Sequence, residues 1–361
     1  MLILHSFSSN PKSKIIKIAG AGIAGMSAAI NIKKAGHDVV VYEKQSMAGG
    51  NRHGDYEGFD NWIFNDSMEN FIISHGFNFK NLPTIPIHQF TVHMENRASF
   101  PVQSPQPFFY MVKRGSEQDS LDQHMYKQCK NVGVEFKFNT PARGDCDIDS
   151  TGPSKAAAYI KGVNFKTSLK NQVHLLLGKK FAPKGYAYLI IIDGQATLAT
   201  AFKKVKNYKM DPLQNSIEYF TSKEISIPKE NMFGSRGSFS MNTMRTFQRP
   251  FKIGEAGGFQ DFLFGFGMRM AMRSGLAAAY QLTGEVKSAK NIMRDLNRKR
   301  KISFINRIIL EQLNNNQMEK IADLFVISDE PLELLKHAYK WNFKKILRWI
   351  RFRKRFEVRP A

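Results

Sequence analysis

A glycine-rich turn between an apolar strand and a helix constrains the fold of this chain more than any other feature. Residues 15–19 are apolar apart from Lys17, and Gly20, Gly22 and Gly25 follow them directly. A helical pattern then continues to residue 36, and the valine-rich residues 39–42 predict a second buried strand that ends at Glu43. This order of strand, glycine turn, helix and strand is that of a dinucleotide-binding unit.

Each residue type at this turn meets a physical requirement of phosphate binding. Gly20 permits the tight turn, Gly22 lets the backbone approach a pyrophosphate, and Gly25 allows the helix to pack closely on the strand. The helix N-terminus presents unpaired N–H groups and the positive end of the helix dipole to the anion. Glu43 can accept hydrogen bonds from the ribose hydroxyls of adenosine. NAD and FAD both bind through such a unit, so later segments must separate them.

Two later segments favour FAD. Residues 49–52 form a small-residue turn with Arg52, which is suited to the phosphates and ribityl chain of a flavin, although an exposed surface loop is the alternative. Residues 251–259 predict a strand that enters a second glycine-rich turn, followed by a small-residue helix. Glu255 in that turn is the expected ribityl ligand. A glycine loop packed for steric reasons is the alternative here.

The predicted cofactor contacts lie in these turns and at the ends of neighbouring strands. Residues 108–114 predict a strand, residues 120–136 a helix and another strand, and residues 146–152 a strand that ends in a polar turn. The predicted FAD ligands are Gly20, Gly22, Ile23, Ala24, Gly25, Glu43, Lys44, Gly50, Arg52, Arg114, Gly152, Gly254, Glu255, Gly258, Gly265, Gly267 and Met268.

Over about residues 14–285 the chain resembles the para-hydroxybenzoate-hydroxylase-type flavoproteins, specifically their geranylgeranyl-reductase-like branch. Residues 254–258 match that family's G-D-A-A-G-like turn, with Glu255 in place of the aspartate. The branch also has a P-x-x-Y-x-W-x-F-P-like substrate motif, which Pro183 and Tyr186 match, while Tyr188 replaces the tryptophan. The resemblance implies FAD as cofactor and these three residues as substrate contacts. The alternating residues of this strand otherwise predict plain sheet packing.

The predicted fold class is α/β, with a Rossmann-like FAD-binding domain, a sheet-rich substrate domain and a basic helical C-terminal region. We expect a discontinuous FAD-binding domain from residues 12–60, 108–165 and 245–285. Residues 61–107 and 166–244 then form the substrate domain, and residues 286–361 the appended helical region.

Charge and cysteine content restrict the setting of the protein. The net charge of +22 favours a polyanionic neighbour, although a general lysine-rich bias needs no partner. Cys129 and Cys146 form no CxxC pair, so neither a disulfide framework nor a zinc site is expected, and a reducing, cytoplasmic location fits. No apolar stretch approaches the roughly 20 residues of a membrane span, and we expect no signal peptide.

The C-terminal residues 336–361 are the expected attachment site for an anionic membrane surface. Between residues 336 and 355 there are nine lysines or arginines and no acid. On a helix, one stripe consists of apolar residues and the opposing side is basic, which suits the inner face of a membrane. A helix docked on the protein's own core is the alternative, and the absence of a recognised binding module disfavours nucleic acid. The stripe comprises Tyr339, Phe343, Ile346, Leu347 and Ile350.

The sequence thus predicts an FAD-dependent oxidoreductase that reduces carbon–carbon double bonds of an isoprenoid or lipid-like substrate at a membrane surface. His53 is the candidate proton donor, with a solvated loop histidine as the alternative. A flavin monooxygenase or halogenase is a second hypothesis, and a non-catalytic basic membrane- or nucleic-acid-binding protein on a flavoprotein scaffold a third. No second dinucleotide motif identifies the electron donor.

Overall fold

A computed structural model describes residues 15–95, 97–142, 144–152, 158–203, 210–237 and 248–352. The strands are β1 (Ile16–Ala19), β2 (Val39–Tyr42), β3 (Tyr56–Asp60), β4 (Ile85–Ile87), β5 (Gln89–Met94), β6 (Arg97–Gln103), β7 (Phe109–Lys113), β8 (Glu135–Lys137), β9 (Ile148–Asp149), β10 (Ala158–Lys166), β11 (Gln172–Leu177), β12 (Tyr186–Ile192), β13 (Gln195–Phe202), β14 (Asn231–Gly237) and β15 (Phe251–Lys252). The helices are α1 (Ile23–Lys34), α2 (Met68–Ser74), α3 (Leu121–Asn131), α4 (Pro212–Thr221), α5 (Met268–Leu282), α6 (Val286–Gln312), α7 (Asn315–Ile327), α8 (Pro331–Ala338) and α9 (Phe343–Phe352), and Gly254–Gly257 forms a 3-10 turn.

Five parallel strands form the sheet that the amino-terminal motif predicts. Their order is β15-β9-β1-β2-β8, and every neighbouring pair is parallel. The valines of β2 are buried, as expected for a parallel sheet covered on its faces. Helices α1 and α5 cross closely because both carry small residues at the contact: a Cβ added at Gly275 would lie 2.3 Å from the Ala24 carbonyl oxygen. The predicted dinucleotide-binding unit is confirmed.

Seven strands build a second sheet, in the order β14-β10-β13-β12-β11-β5-β6. Helix α4 covers one face of this sheet, where Leu213, Ile217 and Phe220 pack against apolar side chains of β12 and β13. Strand β10 pairs with β13 and β14 in this sheet. Residues 158–165, which we expected in the FAD-binding domain, therefore make their backbone hydrogen bonds in the seven-stranded sheet and not in the parallel sheet.

A small antiparallel sheet, in the order β3-β7-β4, accompanies the two large sheets. The predicted strand at residues 108–114, the helix after residue 120 and the next strand are all present as β7, α3 and β8. Strand β7, however, pairs with β3 and β4 and not with the parallel sheet. Trp62, Phe109 and Phe266 form an aromatic cluster beside it, with the Trp62 ring centroid 4.7 Å from that of Phe266.

The C-terminal region is helical, as predicted, but its last part is not one continuous helix. Helix α8 ends at Ala338, and α9 begins at Phe343. Tyr339 lies between them with only 2% of its surface exposed, so the prediction that it belongs to the apolar surface stripe is wrong. Its hydroxyl donates to Asp261 at 2.6 Å, and this hydrogen bond holds the ring in the core. Residues 353–361 of the predicted membrane segment lie outside the described residues.

The described residues bear on the predictions about membrane spans and cysteines. None of the helices described above is both long and apolar enough to cross a bilayer. Cys129 and Cys146 are free thiols, and Cys129 is buried.

Candidate cofactor and substrate site

The first glycine turn has the conformation that a phosphate cradle requires. Gly20 has a φ of +96°, and a Cβ there would lie 2.6 Å from the Ser150 carbonyl oxygen. Gly22 precedes α1, and a Cβ at that position would meet no atom within 4 Å. The space in front of the helix is therefore open. Because no side chain caps α1, the N–H groups of Ile23, Ala24 and Gly25 are available to an anion.

Glu43 lies at the carboxyl end of β2 and reaches over this turn. One carboxylate oxygen accepts a hydrogen bond from the Ala21 N–H at 2.8 Å, and the other accepts from the Gln45 N–H at 2.9 Å. These bonds fix the carboxylate beside the turn and leave each oxygen a further lone pair for a ribose hydroxyl. Lys44, the next residue, is exposed.

The second glycine turn lies directly against the first. Gly254 has a φ of +56°, and a Cβ there would be 2.9 Å from the Ala24 Cβ. The Gly254 N–H donates to Ser274 Oγ at 2.8 Å, which ties the turn to α5. The 3-10 turn ends at Gly258, which has a φ of +67°. The carboxyl ends of β1, β2, β9 and β15 thus bring both predicted turns to one edge of the parallel sheet.

A cavity of about 330 Å³ adjoins this edge and reaches the seven-stranded sheet. Glu255 of the second turn contributes to its wall, together with Gly265, Gly267 and Met268. The larger part of the wall is aromatic and aliphatic. It includes Tyr56, Trp62, Phe90, Phe109, Met111, Val173, Leu175, Tyr186, Tyr188, Ile190, Phe233, Phe264, Phe266 and Leu335.

One part of the wall is polar and charged. Arg52 Nη1 lies 3.1 Å from Glu57 Oε1, and Arg114 Nη1 lies 2.5 Å from Glu57 Oε2. Burial alone would raise the pKa of Glu57, but Arg114 and Arg52 outweigh burial and hold that pKa below its ordinary value. Burial also raises the pKa of Glu255. For Asp55, burial and the neighbouring Glu57 raise the pKa to about 6.

Most of the predicted site residues are brought together at the sheet edge or in the cavity. The predicted residues that line the cavity are Arg52, His53, Glu255, Tyr186, Tyr188, Gly265, Gly267 and Met268. The residues at the sheet edge are Gly20, Gly22, Ile23, Ala24, Gly25, Glu43, Gly152 and Gly254. Gly50 is exposed in the loop after Glu43.

Arg114 and Pro183 are not placed as predicted. The Arg114 guanidinium is 1% exposed, and its Nε and Nη2 donate to the two Asp122 carboxylate oxygens at 2.8 and 3.0 Å. With Glu57 as its second partner, Arg114 supports the cavity wall from behind and does not line the cavity. Pro183 is also buried outside the cavity, where its carbonyl accepts from the Lys203 N–H at 3.2 Å.

The C-terminal helices contribute residues that sequence analysis missed. Arg307 and Leu335 line the cavity. Helix α6 also holds the loop after the second turn: Arg300 Nη1 donates to the Gly257 carbonyl at 3.0 Å, and the Phe262 N–H donates to Ser303 Oγ at 2.6 Å. Ser303, Tyr339 and two backbone N–H groups donate to the fully buried Asp261. No local motif encodes the contacts of Arg300, Ser303 and Tyr339, because they join positions far apart in the chain.

Strand β12 alternates as expected. Tyr186, Tyr188 and Ile190 line the cavity, while Leu189 and Ile191 pack beneath α4. The Tyr186 hydroxyl donates to the Phe264 carbonyl, which joins this strand to the loop after the second glycine turn. The strand therefore supplies a cavity wall on one face and sheet packing on the other.

Comparisons with known proteins agree with this architecture. A family model described as an NAD(P)-binding Rossmann-like domain matches residues 18–79. A geranylgeranyl bacteriochlorophyll reductase-like protein from Thermoplasma acidophilum has a similar structure, with 16% identity, a TM-score of 0.69 and coverage of 95% of this chain and 96% of that chain. The structure of CtdE in complex with FAD is 14% identical, with a TM-score of 0.52 and coverage of 91% and 98%.

The flavin-dependent brominase Bmp2 is also similar, at 15% identity and a TM-score of 0.54, with coverage of 93% of this chain and 98% of that chain. No curated protein matches the sequence. The predicted α/β fold with a Rossmann-like domain is confirmed. The chain thus contains an NAD(P)-binding Rossmann-like domain and has, along nearly its whole length, the fold of these flavin-dependent proteins.

Proposed function

We propose that this protein is an FAD-dependent oxidoreductase. The observation that carries the proposal is the meeting of two glycine turns, residues 20–25 and 254–258, at one edge of the parallel sheet and beside the cavity. A long dinucleotide that spans both turns and enters the cavity fits this arrangement better than a mononucleotide does. The solved structure of CtdE, which has the same fold, contains FAD.

The residues at the edge fit FAD chemically. The open space at Gly22 and the uncapped start of α1 suit the pyrophosphate, and Glu43 suits the adenosine ribose. Glu255 and Arg52 line the adjoining cavity, where they would hold the ribityl chain. When bound, FAD supplies hydride transfer. The protein's own residues bind and orient it and exclude water from the reacting atoms.

The substrate of the proposed reaction is an isoprenoid or lipid-like molecule with a carbon–carbon double bond. The apolar part of the cavity wall supports this substrate class. Tyr188, Ile190, Trp62 and their neighbours offer few polar partners to a hydrophilic substrate. The similarity to a geranylgeranyl bacteriochlorophyll reductase-like structure favours the same class of substrate. Tyr186 and Tyr188 are the substrate-facing residues in this proposal.

Flavin binding is tested first, with a matched pair of variants. Gly22→Asp places a negative charge where the pyrophosphate would lie, and Gly22→Asn adds a side chain of similar size without the charge. We expect purified protein to show a flavin absorbance spectrum or to bind added FAD. Gly22→Asp should weaken that binding much more than Gly22→Asn. A wild-type chain that binds no FAD would refute the proposed function.

The reaction is tested by anaerobic incubation of dithionite-reduced protein with geranylgeraniol in detergent. The proposal expects products heavier by about two mass units for each double bond reduced, detected by mass spectrometry. The alternative of a monooxygenase or halogenase is favoured by the similarity to the brominase Bmp2. Turnover that requires oxygen, with no anaerobic alkene reduction, would support that alternative.

Attachment to an anionic membrane through α9 belongs to the same proposal. Four apolar side chains of α9 are exposed: Phe343 by 72%, Ile346 by 44%, Leu347 by 51% and Ile350 by 54%. Lysines and arginines occupy much of the rest of this helix. Trp349 faces inward, with its ring centroid 6.2 Å from that of Phe304 on α6. The helix is thus docked on one side, and its exposed apolar and basic residues suit an anionic lipid surface.

Flotation with phosphatidylglycerol and phosphatidylcholine vesicles tests the attachment. The wild-type protein should float with phosphatidylglycerol vesicles, and Leu347→Asp combined with Ile350→Asp should abolish this. Ile73→Asp is the control, because Ile73 is 75% exposed on α2. Equal flotation of the α9 variant and the wild type would reject the membrane role. A wild-type protein that does not float with vesicles but binds nucleic acid would show that the basic residues serve nucleic-acid binding instead.

A further inference from the structure

Three carboxyl groups line the cavity, and they differ in their partners. Glu57 is paired with Arg52 and Arg114, at 3.1 and 2.5 Å. Glu255 belongs to the second glycine turn, where it is placed for the cofactor. In the described part of the chain, the Asp55 carboxyl forms no ion pair, because both nearby arginines are bound to Glu57. Among the described residues Glu255 also forms no ion pair, but in the proposed function it holds the ribityl chain, so Asp55 is the cavity carboxyl left to hold a proton for the substrate.

The position of Asp55 joins the cofactor side of the cavity to the substrate side. It follows the turn at residues 49–52, and its carbonyl accepts a hydrogen bond from the Arg114 N–H at 2.9 Å, which fixes its backbone. Tyr188 of the substrate strand lines the same cavity, and Asp55 contributes, after burial, to the rise in the Tyr188 pKa. Asp55 and Tyr188 thus line one cavity, with Asp55 on the cofactor side and Tyr188 on the wall formed by β12.

We infer that Asp55 is the proton donor of the reaction, an inference that rests on the proposed function. When one carbon of a double bond accepts a hydride from the reduced flavin, the other carbon must accept a proton. The O–H bond of the protonated Asp55 carboxyl breaks, and a C–H bond forms at that carbon. The double bond is reduced by two electrons, the flavin is oxidised, and the carboxylate regains its proton from water through the exposed wall at residues 51–53.

The electrostatic surroundings of Asp55 support this assignment. The titratable and charged groups that face it are Arg52 on its own loop, Glu57 on β3, Arg114 after β7 and Tyr188 on β12. Burial first and Glu57 second raise the Asp55 pKa to about 6, against smaller effects of the two arginines. The protonated form therefore persists to higher pH than for an ordinary aspartate, and it decreases as the pH rises above about 6.

His53, the donor predicted from sequence, is less well placed. Its ring lies against the Phe233 ring, with centroids 4.8 Å apart, and the residue is exposed. Its backbone carbonyl accepts from Asn164 Nδ2 at 3.2 Å. The stacked ring lies at the outer wall of the cavity, whereas Asp55 is more buried.

Carbodiimide labelling tests the protonation of Asp55 without any turnover, because dicyclohexylcarbodiimide reacts with protonated carboxyl groups. Peptide mass spectrometry should find Asp55 labelled at pH 6 and about fiftyfold less at pH 8, as expected for a pKa of about 6. Glu57 is the internal control and should stay unlabelled, since two arginines keep it ionised. Equal labelling of Asp55 at both pH values, or labelling of Glu57 instead, would overturn the inference.

Substitution tests the role in the reaction. Asp55→Asn should bind FAD within about twofold of the wild type in a fluorescence titration. The anaerobic reduction of geranylgeraniol by the pre-reduced protein should become about 10²- to 10⁴-fold slower. Asp55→Glu, which keeps the acid, should recover part of the rate. The exposed Asp119→Asn is the control and should react like the wild type.

The outcomes separate this inference from the proposed function. A wild-type chain that binds no FAD would refute the function, whatever the labelling of Asp55 shows. A wild-type chain that binds FAD and reduces the alkene, with an Asp55→Asn variant that reacts at the wild-type rate, would refute the proton donor alone. Loss of FAD binding in Asp55→Asn would also refute it, because the residue would then act on the cofactor site.

Discussion

Tyr339→Phe removes a single hydroxyl that connects the C-terminal region to the loop after the second glycine turn. That hydroxyl donates to Asp261 at 2.6 Å, and the exposed fractions of the two residues are 2% and 0%. A hydrogen bond to a charged, buried group contributes about 1.5–3 kcal/mol, and the phenylalanine ring fills the same volume, so no cavity adds to the cost. We therefore expect the free energy of unfolding to fall by about 2 kcal/mol.

Urea unfolding followed by circular dichroism measures this change, and a fluorescence titration with FAD measures its effect on the site. The urea midpoint should fall without a change in slope, and FAD should bind more weakly because the loop behind the second turn loses one of its anchors. Tyr280→Phe is the control, since Tyr280 lies on α5 and is half-buried. A Tyr339→Phe variant within about 0.5 kcal/mol of the wild type would show that Asp261 does not depend on this contact.

Three further perturbations follow from buried charges and close packing. Asp122→Asn leaves the Arg114 guanidinium buried without its main partner and should cost about 3–5 kcal/mol in urea unfolding. Gly275→Ala places a Cβ 2.3 Å from the Ala24 carbonyl oxygen, so α1 and α5 must separate; we expect a loss of about 1–3 kcal/mol, read from the thermal midpoint. Burial raises the pKa of Asp60 to about 6, so the folded protein binds more protons than the unfolded chain between about pH 4 and 6. The stability from this group is present below that window and is lost as the pH rises through it, and Asp60→Asn should make the measured decline shallower.

The parts of the fold that depend on local chemistry could be predicted from the sequence. Gly20 and Gly254 adopt positive φ angles that favour glycine, so the local sequence is enough to predict their turns. The strands on either side are short apolar runs, and the parallel arrangement then places both turns at one edge. The alternation of Tyr186 and Tyr188 on β12 is also a local pattern, and it correctly placed both on one face.

The remaining features depend on contacts between distant segments. Arg114 is a plausible phosphate ligand until the fold brings Asp122 and Glu57 to it. Tyr339 has the right spacing for a surface stripe, but its hydroxyl meets a carboxylate 78 residues earlier in the chain. Likewise, residues 158–165 join the seven-stranded sheet because their pairing partners, β13 and β14, lie there. Helical periodicity and residue type contain no information about these partners.

Helix α6 and Tyr339 anchor the second glycine turn and the loop after it, and this has a consequence for biosynthesis. The first turn is synthesised before the residues that anchor its counterpart, which are Arg300, Ser303 and Tyr339. A nascent chain can therefore form the first turn before the anchors of the second turn exist. A chain that stops before α6 would lack these anchors of the second turn.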